Sequence, residues 1–235
     1  MNNLALFGKK YMDTILFVDC VKSGETNECH TVIENIGGLN NFYEARFEEW
    51  EIMPIFSGSK KAYIVSDKLL SKRTSYVFKQ TESTVSSNQI NSIQNNNEWL
   101  HVCYIDDIEC YSQISNIKIP YSLDFCTDKD RDAYFYIINN AKIVFDSRER
   151  KHLYKNMFVS TPLILHDECG FEIIKNGVVV HEQRNIPLSN LNVNGAGDLF
   201  AAFFIKHYKS LGLIESSKKA MVEATKTLIK RKKNE

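Results

Sequence analysis

From Trp99 to Leu165 the chain alternates short apolar runs with helical stretches, and this alternation restricts the fold more than any other feature. Strand-like runs lie at Trp99 to Ile105, Tyr121 to Phe125, Ile143 to Phe145 and Leu163 to Leu165. Helical stretches fall between them, notably Lys129 to Asn140 and Glu149 to Met157. Strands that alternate with helices predict a parallel sheet covered on both faces, because each crossover lays its helix on the sheet. The predicted class is α/β.

The flanks are less regular. Thr14 to Val18 reads as a buried strand with the polar Asp19 at its tip. A polar stretch from Lys22 to His30 follows, then Thr31-Val32-Ile33, the pair Gly37-Gly38, and a helical pattern from Leu39 to Trp50. Ile52 to Phe56 and Ala62 to Val65 read as two strands around a lysine-rich turn, with Thr74 to Phe78 after them. Residues 81 to 98, rich in serine, asparagine and glutamine, leave three readings open: a linker, a long polar loop or a weakly amphipathic helix. Phe171 to Ile174 and Val178 to His181, joined at Asn176-Gly177, predict a hairpin with a tight turn. Two helices, about Ala196 to Leu211 and Ser216 to Arg231, finish the chain. At ~150 residues per domain, 235 residues predict a single domain over 1–235.

Composition removes several function classes. Lysine plus arginine total 29, as do aspartate plus glutamate, whereas a nucleic-acid binder that neutralises phosphates shows a basic excess. No apolar run approaches the ~18 residues of a membrane helix, and the N-terminus has no charged-then-apolar signal pattern. The six cysteines form no CxxC pair and no zinc spacing, which predicts free thiols and a cytoplasmic protein. No histidine pair has ligand spacing, and no GxxxxGK[ST] loop occurs. The basic run Lys226, Lys230, Arg231, Lys232 and Lys233 reads as a solvated helix end.

Glycine is scarce: 10 are present where an average usage of about 7% predicts about 16. Two of them frame the segment Asn192-Val193-Asn194-Gly195-Ala196-Gly197-Asp198-Leu199-Phe200, where a loop turns into an apolar helix. Small residues there let backbone N–H groups close on an anion, and the helix N-terminus adds its positive end. A carboxylate beside such a site could accept a hydroxyl proton while the amides hold a phosphate. On these residues alone a second reading stays open, in which the glycines shape a turn and Asp198 serves the helix dipole.

The segment resembles the C-terminal signature of the ribokinase-like (PfkB) carbohydrate kinase family, DTxGAGDxFxAGF. Gly195, Ala196, Gly197, Asp198, Phe200, Ala202 and Phe204 match it in register. The resemblance implies a three-layer α/β/α sandwich with a mostly parallel sheet and a small, reduced β lid drawn from parts of 20–36 and 52–79. It implies that Asp198 is the catalytic base and that Gly195, Ala196 and Gly197 form the anion hole. Asp19 then resembles the aspartate that contacts substrate hydroxyls, Gly37-Gly38 the family's GG pair, and Asp146-Ser147-Arg148-Glu149 the NxxE motif. By that analogy Asn192, Asp146 and Glu149 are associated with nucleotide and metal, Glu149 acting on magnesium through water.

Each of these has a plainer reading: a capped strand end for Asp19, a turn for Gly37-Gly38, a helix-dipole carboxylate for Glu149. The sequence also departs from the family pattern. Asn192-Val193 replaces Asp-Thr, Asp146 replaces the asparagine of NxxE, and Asp167 replaces a glycine of TxGxxG. The substrate-binding asparagine expected four residues after Gly38 is Phe42, and Asn41 stands one short. The chain is shorter than most members. The expected activity is ATP- and magnesium-dependent phosphoryl transfer to a hydroxymethyl group of a small sugar or sugar-like molecule, with no nucleic acid or membrane partner and with pairing of two subunits through the lid. A nucleoside kinase of the same fold and a non-catalytic ligand-binding descendant are the alternatives.

Overall fold

The computed structural model describes residues 2–29, 31–35, 37–45, 50–67, 72–78, 86–109, 111–155, 157–188 and 193–234. Asn192 lies outside them. Contacts divide the chain into two compact units, Met1–Lys9 with Phe47–Gly58 and Thr81–Ile186, and Lys10–Arg46 with Ser59–Gln80 and Pro187–Glu235.

The first unit carries the predicted alternation. Strands β5 (Trp99–Val102), β6 (Tyr121–Asp124), β7 (Ile143–Ser147) and β8 (Leu163–Asp167) run parallel, and residues 4–7 of β1 (Asn2–Val18) pair in parallel with β5. Strand β9 (Gly170–Lys175) then turns back antiparallel on β8, and β10 (Val178–Arg184) on β9. The sheet is mostly parallel, as the alternation predicts. All four residues of β6 are buried, as a strand covered on both faces requires. The core gathers Ala5, Phe7, Leu100, Val102, Leu123, Val144 and Leu165 with Ile137 and Ile138 of α3 (Phe135–Asn140).

Gly8 has a packing reason inside β1, since a Cβ there would meet the Cys103 carbonyl at 2.9 Å. The hairpin turns at Asn176 (φ 52°) and Gly177 (φ 74°), both left-handed, which is the type I′ geometry that matches strand twist. Among the three readings of residues 81 to 98, α2 (Ser87–Asn96) decides for the helix. Ser86 accepts from Gln89 N–H while the Gln89 side chain returns to Ser86 N–H, a complete capping box, and Ile93 is fully buried.

In the second unit, β1 pairs antiparallel with β2 (Thr31–Asn35) from Asp13 to Phe17, and β3 (Trp50–Asp67) with β4 (Lys72–Phe78) from Lys61 to Asp67. Ile15, Phe17 and Ile64 form a small cluster. Helix α1 (Gly37–Glu44) packs on α4 (Ala196–Asn234), and Phe42, Ala45 and Leu199 to Ile205 are all buried. Helix α4 is interrupted at Gly212, whose φ of 71° and ψ of −173° lie in a region open essentially to glycine alone. This break separates the two C-terminal helices that the sequence predicts.

Several boundaries differ from expectation. The lysine-rich turn between Phe56 and Ala62 does not exist: β3 runs straight through it, with Ile55 and Ser57 buried before Gly58 and Ala62 and Ile64 buried after it. Lys61 occupies an exposed strand position, where a lysine costs nothing in solvation. The stretch 129–140 is helical only in its second half, after a 3₁₀ turn at Asp132–Tyr134, and 149–157 is a 3₁₀ helix over Arg148–Tyr154. Strand β1 begins twelve residues before the predicted one, on the fully buried run Leu4 to Phe7. Among the described residues no helix is long and apolar enough to cross a membrane, and no cysteine is in a disulfide.

Candidate active site

Six of the expected residues, Gly38, Asn41 and Gly195 to Asp198, meet in the second unit. Gly195 (φ 71°) closes the turn before α4, and Leu199 N–H donates to its carbonyl at 2.9 Å to begin the helix. Ala196 N–H donates to the Val193 carbonyl at 3.0 Å, so this amide faces the turn itself. Gly197 follows inside the first turn, where an α-helix has no carbonyl of its own to offer its N–H groups. Asp198 is 5% exposed, and the N-terminal ends of two helices approach its carboxylate. A Cβ on Gly38, at the start of α1, would lie 2.7 Å from Asp198 Oδ1 and 3.0 Å from its Cγ. Glycine at 38 is thus required by the carboxylate, and both positive helix ends favour an anion there.

Asn41 completes the cluster. Its Nδ2 donates to Asp198 Oδ2 at 3.2 Å, and a Cβ on Gly195 would strike that amide at 2.2 Å. Asn41 stands one residue short of the family's position, and one residue on a helix is a rotation of about 100°. The side chain at 41 accordingly meets the Gly195 turn and Asp198, while Phe42, at the family's position, is fully buried. Phe200, Ala202 and Phe204, which carry much of the signature match, are likewise buried and pack α4. Their part in the motif is structural.

One member of this cluster escapes sequence reasoning. Arg231, near the end of α4, reaches back to three residues at once, two on α1 and one in the turn before Gly195. Its Nη2 donates to Asn41 Oδ1 at 2.6 Å and its Nη1 to the Asn194 carbonyl at 2.7 Å, and Nε and Nη2 embrace the Glu44 carboxylate, with Nε 3.0 Å from Oε2. The side chain is 20% exposed. Inside a run of lysines nothing marks it out. The only signal is that it is the single arginine of that run, the one side chain able to form such a fork. Lys206 supports the same helix from the other end by donating to the Ala45 carbonyl at 3.2 Å, a cation at the C-terminus of α1.

The other expected residues take separate places. Asp19 is exposed one residue past β1, and Gly37 opens α1. Asp146 lies in the first unit, fully buried, at the end of β7. It accepts from Arg131 Nη2 at 2.9 Å, Arg150 Nε at 2.5 Å, Tyr154 Oη at 2.7 Å and Ser147 N–H at 2.7 Å. Arg131 in turn stacks 4.1 Å over the Phe125 ring and reaches Asp106 at 3.4 Å. Burial, and then Asp146, push the Tyr154 hydroxyl well above its usual range, so it stays a donor. Four donors from side chains and backbone thus answer the charge that the family's asparagine would not carry. Glu149 is exposed in the first turn of the 3₁₀ helix, its N–H on Ser147 Oγ at 3.4 Å. Asp167, the replacement for the glycine of TxGxxG, ties the β8–β9 turn through Cys169 N–H at 2.8 Å and pairs with Arg148 at 3.5 Å.

No protein-family model and no curated protein matches the chain in sequence. Solved structures match it throughout. The ribokinase of Thermotoga maritima aligns with a TM-score of 0.65 over 97% of this chain and 92% of its own, at 12% identity. A nucleoside kinase of Methanocaldococcus jannaschii, an archaeal member of the ribokinase family, aligns at 0.64 over 100% and 99%, at 14% identity. The chain has the ribokinase-like fold. A microbiome-derived acarbose kinase aligns at 0.67 over 95% and 91%, at 15% identity. Identities this low carry the fold and leave the chemistry of this ribokinase-like chain to its own residues.

Proposed function

We propose that this protein transfers the terminal phosphoryl group of ATP to a hydroxymethyl group of a small sugar or sugar-like molecule. The observation that carries the reading is Asp198, a buried carboxylate in the first turn of α4 behind a glycine turn, with Gly38 stripped of a side chain directly against it. In the reaction the acceptor oxygen attacks the γ-phosphorus, the bond from that phosphorus to the ADP oxygen breaks, and the acceptor proton passes to Asp198. The Gly195–Gly197 turn receives the oxygens of the transferring group, with the Gly197 amide aimed along the helix dipole. Most of the rate in such transfers comes from positioning and charge stabilisation.

Magnesium fits the residues in one way. Among the described residues no three His, Cys, Asp or Glu side chains converge as a cage. The ion, which keeps several waters and is commonly bound through substrate phosphates, would arrive with the nucleotide. The exposed carboxylate of Glu149 suits an outer-shell position, and when bound the ion would neutralise phosphate charge. Asp19, Gly37 and Asn192 are assigned to substrate and nucleotide by the family resemblance. A lid built from parts of 20–36 and 52–79, pairing two subunits in the cytoplasm, belongs to the same reading.

Release of ADP, measured with a panel of sugars and nucleosides, tests it. Asp198→Asn should lower kcat by about a thousand-fold or more, within the range of general-base and positioning contributions together. Equal turnover by both proteins overturns the role of Asp198, and a panel in which only nucleosides react moves the acceptor class.

A further inference from the structure

We infer that Arg231 is a positioning residue for Asp198, acting through Asn41; the inference rests on the kinase reading for its catalytic consequence. A guanidinium has donors only. The Asn41 atom 2.6 Å from Nη2 must therefore be the amide oxygen, which turns the amide nitrogen toward Asp198 Oδ2 at 3.2 Å. Arg231 and Asp198 thus hold the same orientation of the Asn41 amide from its two ends. Without Arg231 the amide keeps only one of these two anchors, its rotation is freed, and its bond to the carboxylate loosens.

The remaining bonds of the fork show why arginine is required. Nη1 on the Asn194 carbonyl fixes the turn just before Gly195, and Glu44 neutralises the guanidinium from α1. One planar group therefore ties the Gly195 turn, the Asn41 amide and helix α1 into a single geometry. Asn41 is 3% exposed and Asn194 6%, so water is a poor substitute for the lost donors. A lysine offers one point charge on a flexible stem and cannot serve three acceptors in a plane.

The test compares wild type, Arg231→Ala, Arg231→Lys, Asn41→Asp and the double variant Arg231→Ala/Asn41→Asp. Arg231→Ala should lower kcat by about ten- to a hundred-fold, the scale of a misplaced catalytic group, with acceptor and ATP KM changed less than about two-fold. Guanidinium ion at tens of millimolar should restore part of kcat to Arg231→Ala and nothing to Asp198→Asn. Arg231→Lys should stay impaired. Asn41→Asp keeps the acceptor for Arg231 but replaces the donor to Asp198, now 3.2 Å away, by a second buried carboxylate, so kcat should fall similarly and Tm should fall with it. The double variant should fall no further than the worse single one, since the two act as a unit. Wild-type kcat in Arg231→Ala, or an additive double variant, overturns the proposal.

A second readout separates this from the kinase reading. In wild type the Asn41 side-chain amide protons should exchange slowly and resonate apart from those of exposed asparagines, and Arg231→Ala should abolish both signs. If wild type turns over nothing on the panel, the kinase reading fails and the amide signal alone judges the clamp. Equal exchange in the two proteins then overturns it.

Discussion

A methyl group added at Gly38 would stand 2.7 Å from Asp198 Oδ1 and 3.0 Å from its Cγ, and the carboxylate cannot swing aside without breaking the Asn41 bond. Two effects compete in Gly38→Ala. Alanine favours the helix by up to about 1 kcal/mol, whereas the contact with the carboxylate costs a comparable amount. Stability should therefore change little, with Tm within a few degrees of wild type. Activity should not be spared, because a displacement of about 1 Å at a reacting group costs on the order of a hundred-fold. Thermal unfolding and ADP release on one preparation check both halves, and unchanged kcat would separate Gly38 from the chemistry. At this scale the sequence was legible where residue type is dictated locally: Gly195, Gly197 and Asp198 lie together in four residues and are readable as a motif without tertiary information. Asn41 was legible as a residue but not in its direction, since a one-residue offset on a helix turns the side chain by about 100°. Arg231 was illegible, because its partners Asn41 and Glu44 lie 190 and 187 residues away and its neighbours are solvated lysines.

Elements were readable in proportion to how local their causes are. The hairpin at Asn176-Gly177 follows from two residues that accept positive φ. The break in α4 follows from Gly212. The continuity of β3 was hidden, because Ser57 to Lys61 has the composition of a turn and only pairing with neighbouring strands makes it a strand. Helix α2 sits between these cases. Its residues Ser87 to Asn96 are poor helix formers, so its stability depends on the apolar side chain of Ile93 and on the capping box at Ser86. Ser86→Ala removes the acceptor for Gln89 N–H and breaks the reciprocity of the box, leaving only the bond from the Ser86 backbone N–H to the Gln89 side chain. The loss should be about 1 kcal/mol, typical of an N-cap, with no change in the ADP-release assay. Urea unfolding measures it, and a change within experimental error would show that Ile93 alone holds the helix.

Over the whole molecule, charge and chain path set limits that no single element shows. With 29 basic and 29 acidic residues the chain offers an anion no general field, so any anion affinity has to come from local amides and arginines. Chain path is the stronger constraint. Residues 81–186 supply six of the strands of the first unit and most of its core, and by sequence they resemble a self-contained domain. Yet β5 takes its parallel partner from Leu4 to Phe7, and Ala5, Phe7 and Ile55 belong to the same core. Excising 81–186 would leave β5 with an open edge and would uncover Leu100 and Val102, both fully buried in the intact chain. An unpaired apolar edge invites association with another chain, and the lost side chains remove burial worth about 1.5–3 kcal/mol each. Against the 5–15 kcal/mol by which domains are ordinarily stable, three such losses are decisive. The fragment 81–186 should therefore aggregate or give a collapsed amide spectrum. The fragment 2–188, which restores Leu4 to Phe7 and Ile55, should show dispersed resonances for β5 to β8 and cooperative unfolding. A dispersed spectrum from 81–186 alone would mean that the β1 segment is an accessory to that core and no part of its folding unit.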